Sequence, residues 1–163
     1  MFIPSKKDLP VLIHGREGHG ASFFSVKMVA EFVKKGSPLI FWSGYHMAKD
    51  EFKKEFGGNI PEHVKIIENE NPVEIGATLE NISEEQILFV KNFELVPNNL
   101  MEKILERKLL IICGDLEKAL TKEEVLKFPT RIFFTPYPGI EIPELEKYQG
   151  YIFSKNKAGE TLK

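Results

Sequence analysis

The chain has 163 residues, of which 42% are hydrophobic and 28% are charged, a composition typical of a soluble globular domain with its own core. Its formal net charge of −2 gives no positive field that would draw in nucleic acid or an anionic membrane. The lone cysteine, Cys113, excludes an internal disulfide and a multi-cysteine metal site. The start of the chain has no apolar segment long enough for a signal peptide or a membrane span, and we expect a cytoplasmic protein.

Short apolar runs recur along the chain. Each run is rich in β-branched or aromatic residues and is apolar on both faces, which is typical of strands buried between helices in a parallel sheet. The predicted strands are residues 11–14, 39–42, 64–67, 87–90, 109–113 and 131–134.

Helical patterns lie between these runs, at residues 21–35, 48–56, 98–107 and 122–127. The first predicted helix has only a narrow polar stripe of Lys27, Glu31 and Lys34, so we expect it to pack deeply against the sheet. Gly36 is predicted to end that helix. Asn98 is predicted to cap the N-terminus of the helix that follows it, because its side chain can accept from a free backbone N–H.

Strands that alternate with helices predict a layered α/β fold with a mostly parallel central sheet. The last segment differs, because residues 151–154 and the tail after Gly159 predict a β-hairpin with residues 156–159 as its turn. No internal repeat or linker interrupts the pattern. We therefore expect residues 1–163 to form a single domain.

Residues 14–22, HGREGHGAS, follow the first predicted strand and lead into the first predicted helix. Their spacing resembles a phosphate-binding P-loop, in which glycines let successive backbone N–H groups curl around a phosphate. Gly15, Gly18 and Gly20 stand where such a turn needs them. Ser22 occupies the position whose hydroxyl would bind Mg²⁺.

The lysine that precedes this hydroxyl residue in a P-loop is replaced by Ala21. Losing one charge-assisted hydrogen bond costs about 1.5–3 kcal/mol, so backbone donors could still hold a phosphate weakly, but phosphoryl transfer would lose more. Arg16 and His19 lie inside the turn and could reach an anion, and the alternative is that both belong to a solvated loop tip. Lys27 lies about 9 Å further along the helix, too far to substitute.

The run ILFVKNFEL, residues 87–95, resembles a Walker B strand, in which an aspartate follows the apolar residues. Lys91 stands at that position and would repel the metal. If this strand neighbours the first strand, the ammonium could act on a phosphate beside the turn. The alternative is a structural ion pair, with Glu17, Glu94 or Asp115 as the expected partners.

Together, these features resemble the RecA/KaiC-like group of P-loop ATPases. The resemblance implies a three-layer RecA-like P-loop sandwich with a C-terminal β-hairpin, which the last segment, GYIFSKNKAGETLK, looks like. It also implies a catalytic glutamate after the second core strand, where residues 41–44, FWSG, contain no carboxylate. The resemblance also implies a polar sensor at the end of the next strand, where residues 109–115, LLIICGD, offer Gly114 and Asp115. The phosphate lysine, the metal aspartate and the catalytic glutamate are thus all absent from their expected positions.

The remaining candidates favour structural roles. The 4 histidines are too scattered for a zinc motif, and His14, at the end of the first strand, is expected to be a hydrogen-bonded core or boundary residue. Cys113 lies in an apolar strand, where burial raises the pKa of a thiol and leaves it inert. The proline-rich loop 133–143 either covers the sheet edge or contacts a partner, and covering is the favoured interpretation.

We infer a catalytically inactive, pseudo-ATPase module with a binding or regulatory role, because three losses together indicate a fold kept for another purpose. The expected partner is a protein, either another copy of the chain or a related active ATPase, rather than nucleic acid or a membrane. No cofactor is required, and weak binding of ATP, ADP or phosphate is compatible with the turn. The alternative is a nucleotide-binding ATPase or switch with a rebuilt site made of loop amides, Ser22, Arg16 and Lys91. A DNA-binding recombination accessory is a third hypothesis, against which the acidic balance argues.

Overall fold

The computed structural model describes residues 4–68, 71–154 and 157–162. Its strands form a single sheet in the order β3-β2-β4-β5-β1-β6-β7-β8. Neighbouring strands from β3 to β6 pair in parallel, whereas β7 and β8 pair antiparallel at one edge. The strands are β1 (Val11–His14), β2 (Leu39–Ser43), β3 (Val64–Ile66), β4 (Ile87–Lys91), β5 (Leu110–Gly114), β6 (Thr130–Phe133), β7 (Gly150–Ser154) and β8 (Lys157–Leu162).

The predicted parallel strands are confirmed, each to within one residue at either end. β1 and β4 are buried along their whole length, which explains why their sequences are apolar without alternation. The terminal hairpin is also confirmed, but its predicted turn is wrong. β8 begins at Lys157, so residues 157–159 belong to the strand, and residue 156 lies outside the described residues.

Helices cover both faces of the sheet, which confirms the three-layer sandwich. Side chains of α1 and α2 join one buried cluster with Phe41 and Phe89, and those of α3, α4 and α5 join another with Leu88 and Val90. None of the helices in the described ranges is long and apolar enough to cross a membrane. The helices are α1 (Ala21–Lys34), α2 (Ala48–Lys54), α3 (Pro72–Glu80), α4 (Asn98–Leu105) and α5 (Lys122–Leu126).

The sequence did not predict α3, although its start carries two helix signals. Pro72 is the first helical residue, and the side chain of Asn71 accepts from the backbone N–H of Val73 at 2.9 Å. Gly76 weakens the helical pattern, but buried side chains of α3 and α4 belong to one core cluster that includes Leu100. Tertiary packing thus outweighs a weak local preference.

The ends of α1 follow the sequence prediction, whereas two other helix predictions are wrong. Gly36 has a φ of 86° and donates to the carbonyl of Val33, a left-handed residue that ends the helix. Phe23 lies outside the predicted polar stripe of α1, where deep packing is expected, yet its side chain is 71% exposed. The N-cap of α4 is Pro97, and Asn98 is already the first helical residue without capping by its side chain.

The proline-rich loop after β6 packs over the sheet, as the favoured interpretation predicted. Tyr137 is buried, and its hydroxyl donates to the carbonyls of Leu116 and Leu120 at 3.1 Å and 2.5 Å. Ile140 and Ile142 pack against the same buried cluster. The loop therefore closes the core beside β6.

Candidate phosphate-binding site

The turn between β1 and α1 depends on its glycines. Gly18 and Gly20 have φ values of 83° and 98°, a conformation that favours glycine. Gly15 has no room for a side chain, because a Cβ there would lie 2.7 Å from Ala21 Cβ and 3.1 Å from Phe134 Cβ. The three glycines of the predicted motif are therefore needed by the conformation itself.

The turn presents a set of free backbone donors. In the part of the chain that the structure describes, the N–H groups of Gly18, Gly20, Ala21 and Ser22 donate to no other group. Gly20 is the N-cap of α1, and the first turn of that helix contains no acidic residue. The positive end of the helix dipole is therefore not offset locally, and the arrangement suits a small anion.

Ala21 takes the place of the phosphate-binding lysine and belongs to the core. Its side chain is 5% exposed and joins the buried cluster that includes Phe134. Ser22 is exposed beside it, and its carbonyl accepts from the hydroxyl of Ser25 at 2.7 Å. The methyl group of Ala21 thus stabilises the start of the helix without offering a charge to a ligand.

Arg16 and His19 lie at the tip of the turn, in an arrangement held by local contacts. Arg16 is exposed, and its guanidinium lies 3.7 Å from the carboxylate of Glu117. The Nδ1 atom of His19 lies 3.1 Å from the backbone oxygen of Glu17. A ligand in the turn would have to compete with Glu117 for Arg16, although an exposed pair of this kind is weak.

His14 holds the base of the turn, which confirms the prediction of a hydrogen-bonded core residue. Its Nδ1 atom accepts from the N–H of Leu116 at 3.0 Å, so the proton lies on Nε2 and points to the carbonyl of Pro136 at 3.2 Å. Thr135 contacts the same Nε2 and accepts from the N–H of Arg16 at 3.2 Å. Burial lowers the pKa of His14, which keeps the ring neutral.

Lys91 ends β4 on the face of the sheet that α1 and α2 cover. Its side chain is 3% exposed, and Nζ lies 3.2 Å from Oε2 of Glu51 on α2. The expectation of a structural ion pair is confirmed, but the partner is Glu51 and not Glu17, Glu94 or Asp115. The condition under which Lys91 could act beside the turn, that this strand neighbours β1, is not met, because β5 lies between them.

A hydrogen-bonded network joins the ends of β2, β4 and β5. The hydroxyl of Ser43 donates to Oδ1 of Asn92 at 2.9 Å and accepts from the N–H of Tyr45 at 3.0 Å. Asn92, with a φ of 51°, hydrogen-bonds to the carboxylate of Glu94, which also accepts from the backbone of Asp115. Sequence reasoning missed Asn92, and it named Glu94 only as a possible ion-pair partner of Lys91.

The carboxylate of Glu94 occupies the space beside Gly114 where any other residue would place its Cβ. A Cβ on Gly114 would collide with Oε2 of Glu94. Burial raises the pKa of Glu94, and the charge of Asp115 acts in the same direction. Among the described residues, Oε2 of Glu94 and Oδ1 of Asp115 are buried without a hydrogen-bond partner. The predicted sensor position, Gly114 and Asp115, therefore lies against a carboxyl group whose pKa is raised by burial.

The side chains at this edge do not fit the magnesium ion that P-loop ATPases use. Lys91 places an ammonium group at the end of β4, where the sequence resemblance implies a metal-binding aspartate, and like charges repel. Within the described ranges, no group of three or more His, Cys, Asp or Glu side chains could hold a metal ion. The free N–H groups of the turn, in contrast, fit a phosphate or another small anion.

Two exposed aromatic rings flank the turn. Tyr148, from the segment before β7, has a φ of 68° and lies against Gly20, whose absent Cβ would be 3.2 Å from Tyr148 Cδ1. Phe23 is 71% exposed and Tyr148 is 62% exposed at a shallow cleft of about 490 Å³ that Glu51 and Lys54 also line. Sequence reasoning missed Tyr148, because no local pattern connects it with the turn.

Cys113 lies behind this site and is chemically quiet, as predicted. Burial raises the pKa of its thiol to about 11, and Ser25 and Lys91 are among its neighbours. At neutral pH the thiol is protonated and unreactive.

Comparisons with known proteins agree with this geometry at the level of the fold. No family model matches the chain, and no curated protein matches it. A solved structure of ATPases 2 and 3 of EssC from Geobacillus thermodenitrificans superimposes with a TM-score of 0.66 at 13% sequence identity. The alignment covers 99% of this chain and 40% of that one. At this identity the likeness shows the fold alone: the chain has the three-layer α/β sandwich of a P-loop ATPase.

Proposed function

We propose that the chain is a catalytically inactive P-loop module that acts by binding a protein partner, either another copy of itself or a related active ATPase. The observation that carries this proposal is the ion pair of Lys91 with Glu51 at the position of the metal aspartate. The sequence resemblance to the RecA/KaiC-like group adds support, because members of that group assemble side by side.

Phosphoryl transfer in P-loop enzymes depends on charge placed where the transition state needs it. Here Ala21 supplies no charge, and Lys91 stands where the metal would be held. At the end of β2, where the family has its glutamate, Ser43 instead hydrogen-bonds to Asn92. Each of these replacement residues packs in the core or is paired with another side chain, which supports a binding role for the fold.

A nucleotide-binding module with a rebuilt phosphate site is the second candidate. The free N–H groups of Gly18, Gly20, Ala21 and Ser22 favour it, since such donors can hold a phosphate without a lysine. Lys91 could join this site only by leaving Glu51 and reaching past β5. We therefore assign the phosphate contacts of this candidate to the amides and Ser22, with Arg16 as the mobile cation.

Thermal melting separates the two candidates, because a ligand that binds the native state raises the melting temperature. We expect inorganic phosphate, ATP and ADP at millimolar concentration to give at most a small shift, with no further gain when Mg²⁺ is added. A shift that requires Mg²⁺, or ATP turnover that Ser22→Ala abolishes, would overturn the inactive assignment. Sedimentation of the purified protein, alone and mixed with candidate ATPases, tests assembly, and a persistent monomer without a partner would contradict it.

A further inference from the structure

A second cleft opens at the carboxyl end of β2, apart from the P-loop-like turn. Its volume is about 270 Å³. The lining comes from the segment after β2, the start of α3 and the segment after β4. The side chains that carry the inference are Trp42, Tyr45, Lys49, Glu68 and Leu95.

The sheet topology explains why a cleft forms here. β2 pairs with β3 on one side and with β4 on the other. The chain leaves β2 through α2 toward β3, and it leaves β4 through α4 toward β5, in the opposite direction. α2 and α4 also lie on opposite faces of the sheet. Connections that diverge in this way leave a crevice at the carboxyl ends of the strands, where α/β proteins bind ligands.

Buried and exposed apolar side chains line the cleft. Trp42 is 5% exposed, whereas Tyr45 and Leu95, which also line the cleft, are 44% and 55% exposed, and Met47 next to Tyr45 is 53% exposed. The hydroxyl of Tyr45 donates to Sδ of Met47 at 3.2 Å, which fixes the two side chains beside each other. Large apolar side chains exposed together in this way are typical of a surface that meets a protein partner.

Lys49 and Glu68 are the basic and acidic side chains of the cleft, and the charge of Lys49 is one of the causes that lower the pKa of Glu68. Glu68 is paired with Lys53 at 2.5 Å, and this hydrogen bond lowers the pKa of Glu68. Lys49 lines the same cleft, and in the described part of the chain it has no carboxylate within ion-pair distance. An occupant would therefore meet an ammonium group next to apolar side chains.

We propose that this cleft docks an acidic peptide segment of a partner protein, which places one large apolar side chain over Trp42 and a carboxylate beside Lys49. The inference rests on the proposed function, since it names the surface through which the module would bind. The volume is below the roughly 300–1,000 Å³ of small-molecule pockets, which favours a single anchoring side chain. The charge of Lys49 selects an acidic partner.

Trp42 reports directly on the cleft, because it is the only tryptophan of the chain. The probes are Ac-Asp-Phe-Asp-NH2, its charge-reversed form Ac-Lys-Phe-Lys-NH2, and Ac-Asp-Ala-Asp-NH2. We expect only the first probe to change the emission of Trp42 saturably and to shift its indole N–H signal in ¹⁵N-edited NMR spectra. Lys49→Glu should weaken that binding about two- to fivefold, as expected for the loss of one exposed charge pair.

Lys54→Glu is the matched control, because Lys54 lies on the same helix but lines the cleft beside the P-loop-like turn. We expect Lys54→Glu to bind the first probe as the unaltered protein does, and Leu95→Ala to bind it more weakly. Both variants change exposed side chains, so loss of folding should not confuse the result.

Several outcomes would overturn the proposal. Equal binding of the charge-reversed peptide would show that Lys49 does not select an acidic partner. Absence of any response at millimolar peptide concentration would show that the cleft binds no such peptide. Tighter binding of N-acetylphenylalanine than of the peptide would assign the cleft to small molecules. Self-association that Leu95→Ala abolishes would assign it to a second copy of the chain. These results are independent of the nucleotide melting assays, so failure of the cleft and failure of the inactive assignment are distinguishable.

Discussion

Nζ of Lys91 lies 3.2 Å from Oε2 of Glu51, with the lysine side chain 3% exposed and the glutamate side chain 67% exposed. The two partners therefore contribute unequally to stability. Burying the ammonium costs desolvation free energy, which its one carboxylate partner partly offsets, whereas Glu51 remains hydrated. The buried member of the pair is thus the positive charge of Lys91. It lies at the end of β4, where the sequence resemblance implies the metal site of a P-loop ATPase.

Substitutions on the two sides of this ion pair should have unequal effects. Glu51→Gln leaves the Lys91 ammonium buried without a counter-charge, and we expect a loss of about 1–2 kcal/mol, reduced because Glu51 is exposed. Lys91→Met replaces the charge by an apolar side chain of similar length and should be nearly neutral or stabilising. Urea denaturation at neutral pH measures both. A larger loss in Lys91→Met than in Glu51→Gln would contradict the proposed asymmetry.

Ser22→Asp should separate helix stability from anion binding. The first turn of α1 has no acidic residue, so a carboxylate at the exposed position 22 should stabilise the helix dipole by about 0.3–1 kcal/mol. The same charge repels a phosphate in the turn, and any thermal shift caused by phosphate or ATP should disappear. Ser22→Asn is the uncharged control. A phosphate-induced shift that survives in Ser22→Asp would place the anion elsewhere.

Gly114→Ala should destabilise the protein through its contact with Glu94. The added Cβ collides with the carboxylate, and overpacking of this kind costs about 1–3 kcal/mol. In a Glu94→Ala background the contact with the carboxylate is absent and the 3.0 Å approach to the backbone N of Phe93 remains, so the same substitution should cost less. A double-mutant cycle by chemical denaturation gives the coupling free energy. Equal costs in the two backgrounds would show that the backbone, and not the carboxylate, excludes the side chain.

Glu94→Gln should change the pH dependence of stability in a defined direction. Burial raises the pKa of Glu94 above its ordinary value of 4.5, so the folded state holds the proton more tightly than the unfolded state. The stability that this group contributes is present below pH 4.5 and is lost as the pH rises through the folded pKa. The free energy of unfolding of Glu94→Gln, minus that of the unaltered protein, should therefore increase as the pH rises from 4 to 7.

The control for this measurement is Glu102→Gln, which changes an exposed glutamate of α4. Its difference from the unaltered protein should stay nearly constant over the same pH range. A loss of stability of Glu94→Gln relative to the unaltered protein as the pH rises would contradict this expectation. In that case the hydrogen bonds from Asp115 and Asn92 stabilise the ionised carboxylate of Glu94 more than burial destabilises it.

The sequence by itself determined the strands, most helices and the shape of the P-loop-like turn. These features depend on local patterns: strands buried on both faces are apolar throughout, and Gly18 and Gly20 reach φ values that other residues avoid. The absence of a lysine at Ala21 and of an aspartate at Lys91 is likewise readable from the order of residues.

Only the tertiary structure decided the partners of these residues. Glu51 precedes Lys91 by 40 positions, and no local pattern selects it over Glu94 or Asp115, which are nearer in sequence. The insertion of β5 between β1 and β4, and the approach of Tyr148 to Gly20, depend in the same way on how distant segments cross the sheet. Packing of whole elements fixes such contacts, because the burial that stabilises them is shared among many side chains and belongs to no single stretch of sequence.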